Sequence, residues 1–172
     1  MNLQWTWQRF EGLGVRGLYD VLALRCQVFI LEQGPYLDPD GLDDRCWHLL
    51  GRDGDATLQA YLRVVDPGVK FAEPSIGRVI TGPQARGIGL GRRLVREGLT
   101  GCQARWPGQP VRISAQARLQ RFYAELGFGP VSGEYLEDGI PHIEMLAAAR
   151  LELQAAPAGG VAAATASVVG GL

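Results

Sequence analysis

A mixed α/β sheet flanked by helices, built as a single domain, is the fold class this sequence predicts. Three observations carry it. Apolar residues recur with period two in some segments and with a helical period in others. The two kinds of segment alternate along the chain. A length of 172 residues suits one core of ordinary size. Residues 4–10 alternate Trp5 and Trp7 with polar neighbours and predict an opening strand. Leu18, Val21, Leu22, Val28 and Phe29 share one face of a helix over 18–31. An acidic loop with Gly and Pro, residues 32–45, comes next. Residues 47–51, 58–65 and 76–81 read as three strands, with the turn Asp66-Pro67-Gly68 between the second and third. Helical spacing returns at Leu90, Leu94, Val95, Leu99 and Cys102, with Arg92, Arg93, Arg96 and Glu97 on the other side, and stops near Trp106-Pro107-Gly108. A short strand over 111–114, a helical pattern over 117–126, a break at 127–130 and a closing strand over 140–146 complete the order β-α-β-β-β-α-β-α-β.

Composition narrows the partners. Apolar residues make up 47% of the chain, charged residues 20%, and the net charge is −1. These values exclude wholesale disorder and a strongly basic nucleic-acid binder. Arg92, Arg93 and Arg96 form the one basic cluster and lack interleaved aromatics. Of the 17 basic residues only Lys70 is a lysine. Cys26, Cys46 and Cys102 form no CxxC pair, so neither a disulfide framework nor a metal site is expected. The N-terminal residues carry no secretory signature, and no apolar run reaches the ~20 residues that span a bilayer, so a cytoplasmic protein without a membrane partner is expected. The domain is expected over 1–150, and residues 151–172 read as a low-complexity Ala/Gly-rich tail outside the core. Strand edges would allow a dimer, but nothing in the sequence demands one.

The most informative stretch runs from the strand at 76–81 through Arg86-Gly87-Ile88-Gly89-Leu90-Gly91 into an amphipathic helix. Glycines there let backbone N–H groups approach a bound anion, and the helix N-terminus adds attraction for negative charge. A phosphate cradle is expected. Gly82 and Gly87 have P-loop spacing, but Ile88-Gly89 stands where Lys-Ser/Thr is required, which disfavours ATP or GTP chemistry. A dinucleotide fingerprint also fails, because Arg92 replaces its third glycine.

The same six residues fit the R/Q-x-x-G-x-G/A signature, and here the sequence resembles the GCN5-related N-acetyltransferases (GNAT), in particular the ElaA-like branch. The branch resemblance rests on LRCQVFILEQGPYLDPDGLD (24–43), IGRVIT before the glycine turn, AQARLQRFYAELGF (115–128) and EDGIPHIEM (137–145). It implies a GNAT-like fold and direct transfer of an acyl group, with acetyl-CoA as donor, to a small-molecule or peptide amine. It places the pyrophosphate on the amides of Gly87, Ile88, Gly89, Leu90 and Gly91, with Arg86 and Arg92 as charged neighbours. It lays the thioester along Val79, Ile80 and Thr81, and sets Tyr123 to protonate the departing thiolate. Gln116 and Leu119 depart from the asparagine and the small residue usual there, which leaves room for a non-catalytic acyl-CoA-binding module as the alternative.

An attacking amine must first lose a proton. Glu32, at the end of the first helix, leads the candidate bases, with His142, His48 and Glu144 behind it. A core histidine is the simpler role for His48. Asp38, Asp40, Asp43 and Asp44 would draw a cationic amine or simply form a solvated acidic loop, and Arg25 is equally a candidate structural partner for that loop.

Overall fold

A computed structural model of the protein describes residues 2–34 and 37–149. The tail at 151–172 and the boundary at residue 150 lie outside the described residues. In chain order the elements are β1 (Gln4–Arg9), α1 (Gly14–Arg25), β2 (Cys46–Arg52), β3 (Leu58–Val65), β4 (Ser75–Thr81), α2 (Leu90–Arg105), β5 (Val111–Gln116), α3 (Gln120–Ala124), β6 (Phe128–Pro130), β7 (Tyr135–Glu137) and β8 (Ile140–Ala147). One sheet holds the strands in the order β1-β2-β3-β4-β5-β8-β6, with β7 also pairing β8. All neighbours are antiparallel except β4 and β5.

Two strands were not expected from periodicity. β6 and β7 are three residues each and exist because β8 offers them an edge, a tertiary cause that local alternation cannot report. A local signal for β7 was nonetheless present. Asp138-Gly139 joins β7 to β8, and both residues take positive φ, +52° and +78°, as a type I′ hairpin turn requires.

The first helix also differs from its expected form. It begins at Gly14, and its final turn, Cys26–Leu31, widens to π geometry. A wider turn changes the angular step, so a single helical period cannot hold across 18–31. Val21, Leu24, Arg25 and Val28 are buried, whereas Leu22, expected inside, is 36% exposed.

Helices cover both faces of the sheet. α1 closes one core against Leu50, Tyr61 and Ile80. On the other face Leu94 and Val95 of α2 pack with Leu62, Val64, Ile76, Ile113 and Met145. α2 lies close to the sheet because two of its three glycines, Gly98 and Gly101, face it. A Cβ on Gly101 would stand 2.2 Å from Trp7, and one on Gly98 would stand 2.8 Å from Leu62. Among the described residues no helix is long and apolar enough to cross a membrane.

Candidate active site

β4 and β5 run parallel for only two residue pairs, Ser75↔Arg112 and Ile76↔Ile113, and then part. Among the described residues, the β5-facing edge of β4 has no strand partner beyond Ile76. A cleft of about 160 Å3 opens between the strands, walled by 75–79 of β4 and 113–116 of β5. A bulge helps aim β4. Tyr61 pairs Ile80 but Arg63 pairs Gly77, so β4 holds one residue more than β3, and Arg78 sits there at φ +52°. Val79 still lines the cleft, and Ile80 and Thr81 carry β4 on from it toward the glycine segment. Ile80 buries its side chain in the α1 core and can offer a ligand only backbone.

β4 leads through the short turn Pro83–Ala85 into the glycine segment. Gly87 and Gly89 both adopt φ +77°, and nothing lies within 4 Å of a Cβ placed on either. The amides of Leu90, Gly91 and Arg92 belong to the first turn of α2 and have no intrahelical acceptor. Free amides beside a helix N-terminus fit a diphosphate. Leu90 is buried in the core and presents only backbone here, whereas Ile88 leaves its side chain 58% exposed. Each flanking arginine is matched to a carboxylate: Arg86 Nη2 lies 2.9 Å from Glu32 Oε1, and Arg92 meets Glu125. Both pairs are solvent-exposed, and pairs of that kind are weak.

Tyr123, His142 and Gln116, expected far apart in sequence, share the cleft wall. Tyr123 is clamped edge-on by Phe122 and Phe128, and burial pushes its phenol up to about 12. His142 Nδ1 lies 2.8 Å from the carbonyl oxygen of Ile140. A carbonyl only accepts, so Nδ1 carries the hydrogen and the neutral ring keeps a lone pair on Nε2. Gln116 donates to Gln33 at 2.9 Å and accepts from Arg118 at 2.8 Å, which ties the end of β5 to the segment after α1. The cleft also holds residues the sequence reading passed over. Ser114 Oγ bonds both Tyr135 Oη and Glu137 Oε2 at 2.6 Å, and Lys70 Nζ stands 3.7 Å from Glu137 Oε1. The Asp138-Gly139 turn would have shown that Tyr135 and Glu137 return alongside β8, opposite His142 and Ile140.

Comparison with known proteins agrees with this geometry. The pattern of the acetyltransferase (GNAT) domain matches residues 60–148. A UPF0039 protein of Synechocystis is 45% identical over 85% of this chain and 96% of its own length. The crystal structure of an acyl-CoA N-acyltransferase from Pseudomonas aeruginosa superposes with TM-score 0.81 at 43% identity, covering 86% of this chain and all (100%) of that one. Escherichia coli ElaA superposes with TM-score 0.77 at 41% identity, covering 85% and 99%. The chain belongs to the GNAT acetyltransferase family, in its ElaA-like branch. Its fold is that of an acyl-CoA-dependent N-acyltransferase.

In this GNAT chain the remaining candidates fall outside the cleft wall. Glu32 sits at the glycine segment with Arg86, and Glu144 accepts from Arg112 Nη1 at 2.7 Å. His48 is a core histidine: Tyr61 Oη stands 2.8 Å from Nδ1 and the Asp43 carbonyl 2.9 Å from Nε2. The acidic loop is neutralised. Arg25 Nε donates to Asp38 at 2.7 Å and its Nη1 to Asp43 at 2.8 Å. Arg63 donates to Asp43 at 2.7 Å and grips Asp40 in a fork. Arg78 donates to the Asp38 carboxylate at 2.7 Å and to its carbonyl at 2.8 Å. Three guanidiniums thus meet three carboxylates, and only Asp44 stays largely in solvent. The loop therefore props the cleft wall through Arg63 and Arg78 and offers a cationic amine little net charge.

This network makes stability depend on pH. Burial pushes the Asp40 and Asp43 carboxyls up, but the guanidiniums beside them outweigh it and hold both below the ordinary 3.8. Burial pulls His48 below 6.5, against the Asp43 carbonyl that favours its charged form. A lowered histidine contributes stability that is complete above 6.5 and is lost as pH falls toward the folded value. The carboxylates contribute above 3.8 and fail below it. Urea unfolding should show constant stability from about pH 6.5 to about pH 8, a decline above that as the unfolded chain frees the thiols of Cys46 and Cys102 that burial pushes up to about 12, and a decline below 6.5 of at most ~1.4 kcal/mol per pH unit, the last absent in His48→Gln. A flat profile from about pH 7 to about pH 5 would remove His48 from the account.

Proposed function

We propose that the protein transfers an acetyl group from acetyl-CoA to a primary amine, a small amine or a lysine side chain, in the cytoplasm. The observation that supports it is β4 itself. One strand joins an amide-lined anion cradle to a cleft that holds a protonated phenol and an imidazole with a free lone pair. Acetyl-CoA supplies the acyl thioester. The amides of Gly87 to Gly91 would hold its pyrophosphate with Arg86 and Arg92 swinging from their carboxylates, and Gln116 would border its arm. Along Val79, Ile80 and Thr81 the amides that strand alternation turns away from β3 would donate N–H to the acyl oxygen, while Ile80 stays paired with Tyr61. His142 Nε2 takes the proton of the acceptor ammonium. Tyr123 stays protonated near neutrality and donates a hydrogen bond to the departing sulfur. Its phenol, at about 12, lies above an ordinary thiol near ~8.5, so it stabilises the thiolate without fully surrendering its proton. Glu32 is read here as the exchangeable partner of Arg86, not the base.

Release of coenzyme A across a panel of primary amines and a lysine peptide tests this reading. Tyr123→Phe should lower kcat ~100-fold with unchanged affinity for acetyl-CoA, and His142→Gln should lower it comparably. Binding of acetyl-CoA without release of coenzyme A to any amine would favour a non-catalytic binding module.

A further inference from the structure

The protein has a single lysine, Lys70, and that lysine stands in the wall of the acyl-transfer cleft. It lies in the loop between β3 and β4, where Phe71 covers its ammonium at 5.4 Å from the ring centroid. Nζ stands 3.7 Å from Glu137 Oε1, and the other oxygen of that carboxylate accepts from Ser114 Oγ at 2.6 Å. Ser114 is the first residue of β5 beyond its last pair with β4. The ammonium is therefore held, through one carboxylate, at the point where the two strands separate. Its tether is weak. Both side chains of the pair are 37% exposed, and such a pair is screened by solvent and worth little. A four-carbon stem leaves Nζ free to leave Glu137 and sweep the cleft.

We propose that Lys70 is a self-acylation site: the enzyme acylates its own cleft lysine from the bound acyl-CoA. The proposal rests on the acyl-transfer reading above and names a lysine of this chain as one acceptor. The Lys70 ammonium gives one proton to solvent through the open side of the cleft. The nitrogen lone pair then forms the N–C bond to the acyl carbon. The C–S bond breaks with its electron pair going to sulfur, and the proton lost by nitrogen on amide formation returns to the thiolate. The products are a neutral acyl-lysine and free coenzyme A, with no other reactant. The change removes the cation facing Glu137 and leaves an amide at that end of the cleft.

The single lysine makes the test clean. The purified full chain is incubated with acetyl-CoA and its intact mass is followed, with peptide mapping to place the adduct. One acetyl group per chain on Lys70 is expected, with complete loss in Lys70→Arg. Excess coenzyme A should suppress the adduct in the folded protein and leave the slow chemical acetylation of urea-unfolded chain unchanged. Gly89→Glu should abolish it as well. An adduct on the N-terminal amine alone, or one on Lys70 indifferent to coenzyme A, would overturn the proposal. Turnover of external amines without any adduct would overturn it and leave the acyltransferase reading intact. Failure of acetyl-CoA to bind at all would overturn both.

Discussion

Arg25→Met should destabilise the protein by about 3–5 kcal/mol, a loss on the order of 10 °C in Tm for a chain of this size. Arg25 is 1% exposed, and its guanidinium joins Asp38 at 2.7 Å to Asp43 at 2.8 Å. Methionine matches much of its volume but supplies no charge. Asp38 would then rely on Arg78 alone and Asp43 on Arg63 alone. The cost arises from carboxylate charge left under α1 without compensation, because the low local dielectric magnifies what is unpaired. Arg25→Lys should fall between, since an ammonium keeps the charge but cannot span both carboxylates in a planar fork. Urea unfolding of the three proteins checks the order. A loss below ~1 kcal/mol for Arg25→Met would mean that water screens the cluster as it does a surface pair.

The same arginine shows where sequence reading stops. Two roles for the acidic loop, drawing a cationic amine and pairing with Arg25, were both open from the chain alone. Deciding between them needs the distance between residues 13 to 40 positions apart, which only packing supplies. By contrast, the glycine segment was legible because its information is local: φ +77° at Gly87 and Gly89 is a backbone demand that glycine meets at its own position. The central strands were legible for a similar reason, since β3 is buried along its whole length and its apolar run shows it. β6 and β7 were not, because they are too short for alternation to register. The cleft wall was half legible. Tyr123, Gln116 and His142 were named, while Glu137, Tyr135 and Ser114 come together only through the β7–β8 hairpin. Glu32 marks the same limit, because a helix-end carboxylate looks the same in sequence whether it faces a cleft or, as here, an arginine.

Gly89→Glu should weaken acetyl-CoA binding by ~100-fold or more while the protein stays folded. Two effects must be separated. Any L-residue at φ +77° carries left-handed backbone strain of about 1–2 kcal/mol, which lowers Tm by a few degrees. Nothing stands within 4 Å of a Cβ at this position, so sterics within the protein add nothing. The carboxylate acts on the ligand instead: at an effective dielectric near 20, a unit charge ~4 Å from a phosphate costs about 4 kcal/mol, more than the ~2.8 kcal/mol that a hundredfold loss requires. Gly89→Ala carries the strain without the charge. Calorimetric titration of wild type and both variants with acetyl-CoA and coenzyme A should therefore give a small deficit for alanine and a large one for glutamate, equal for the two ligands because both carry the pyrophosphate. A deficit as large for alanine as for glutamate would mean that the turn's shape, not its unpaired amides and field, selects the anion. Unchanged binding in both would move the pyrophosphate away from the N-terminus of α2 altogether.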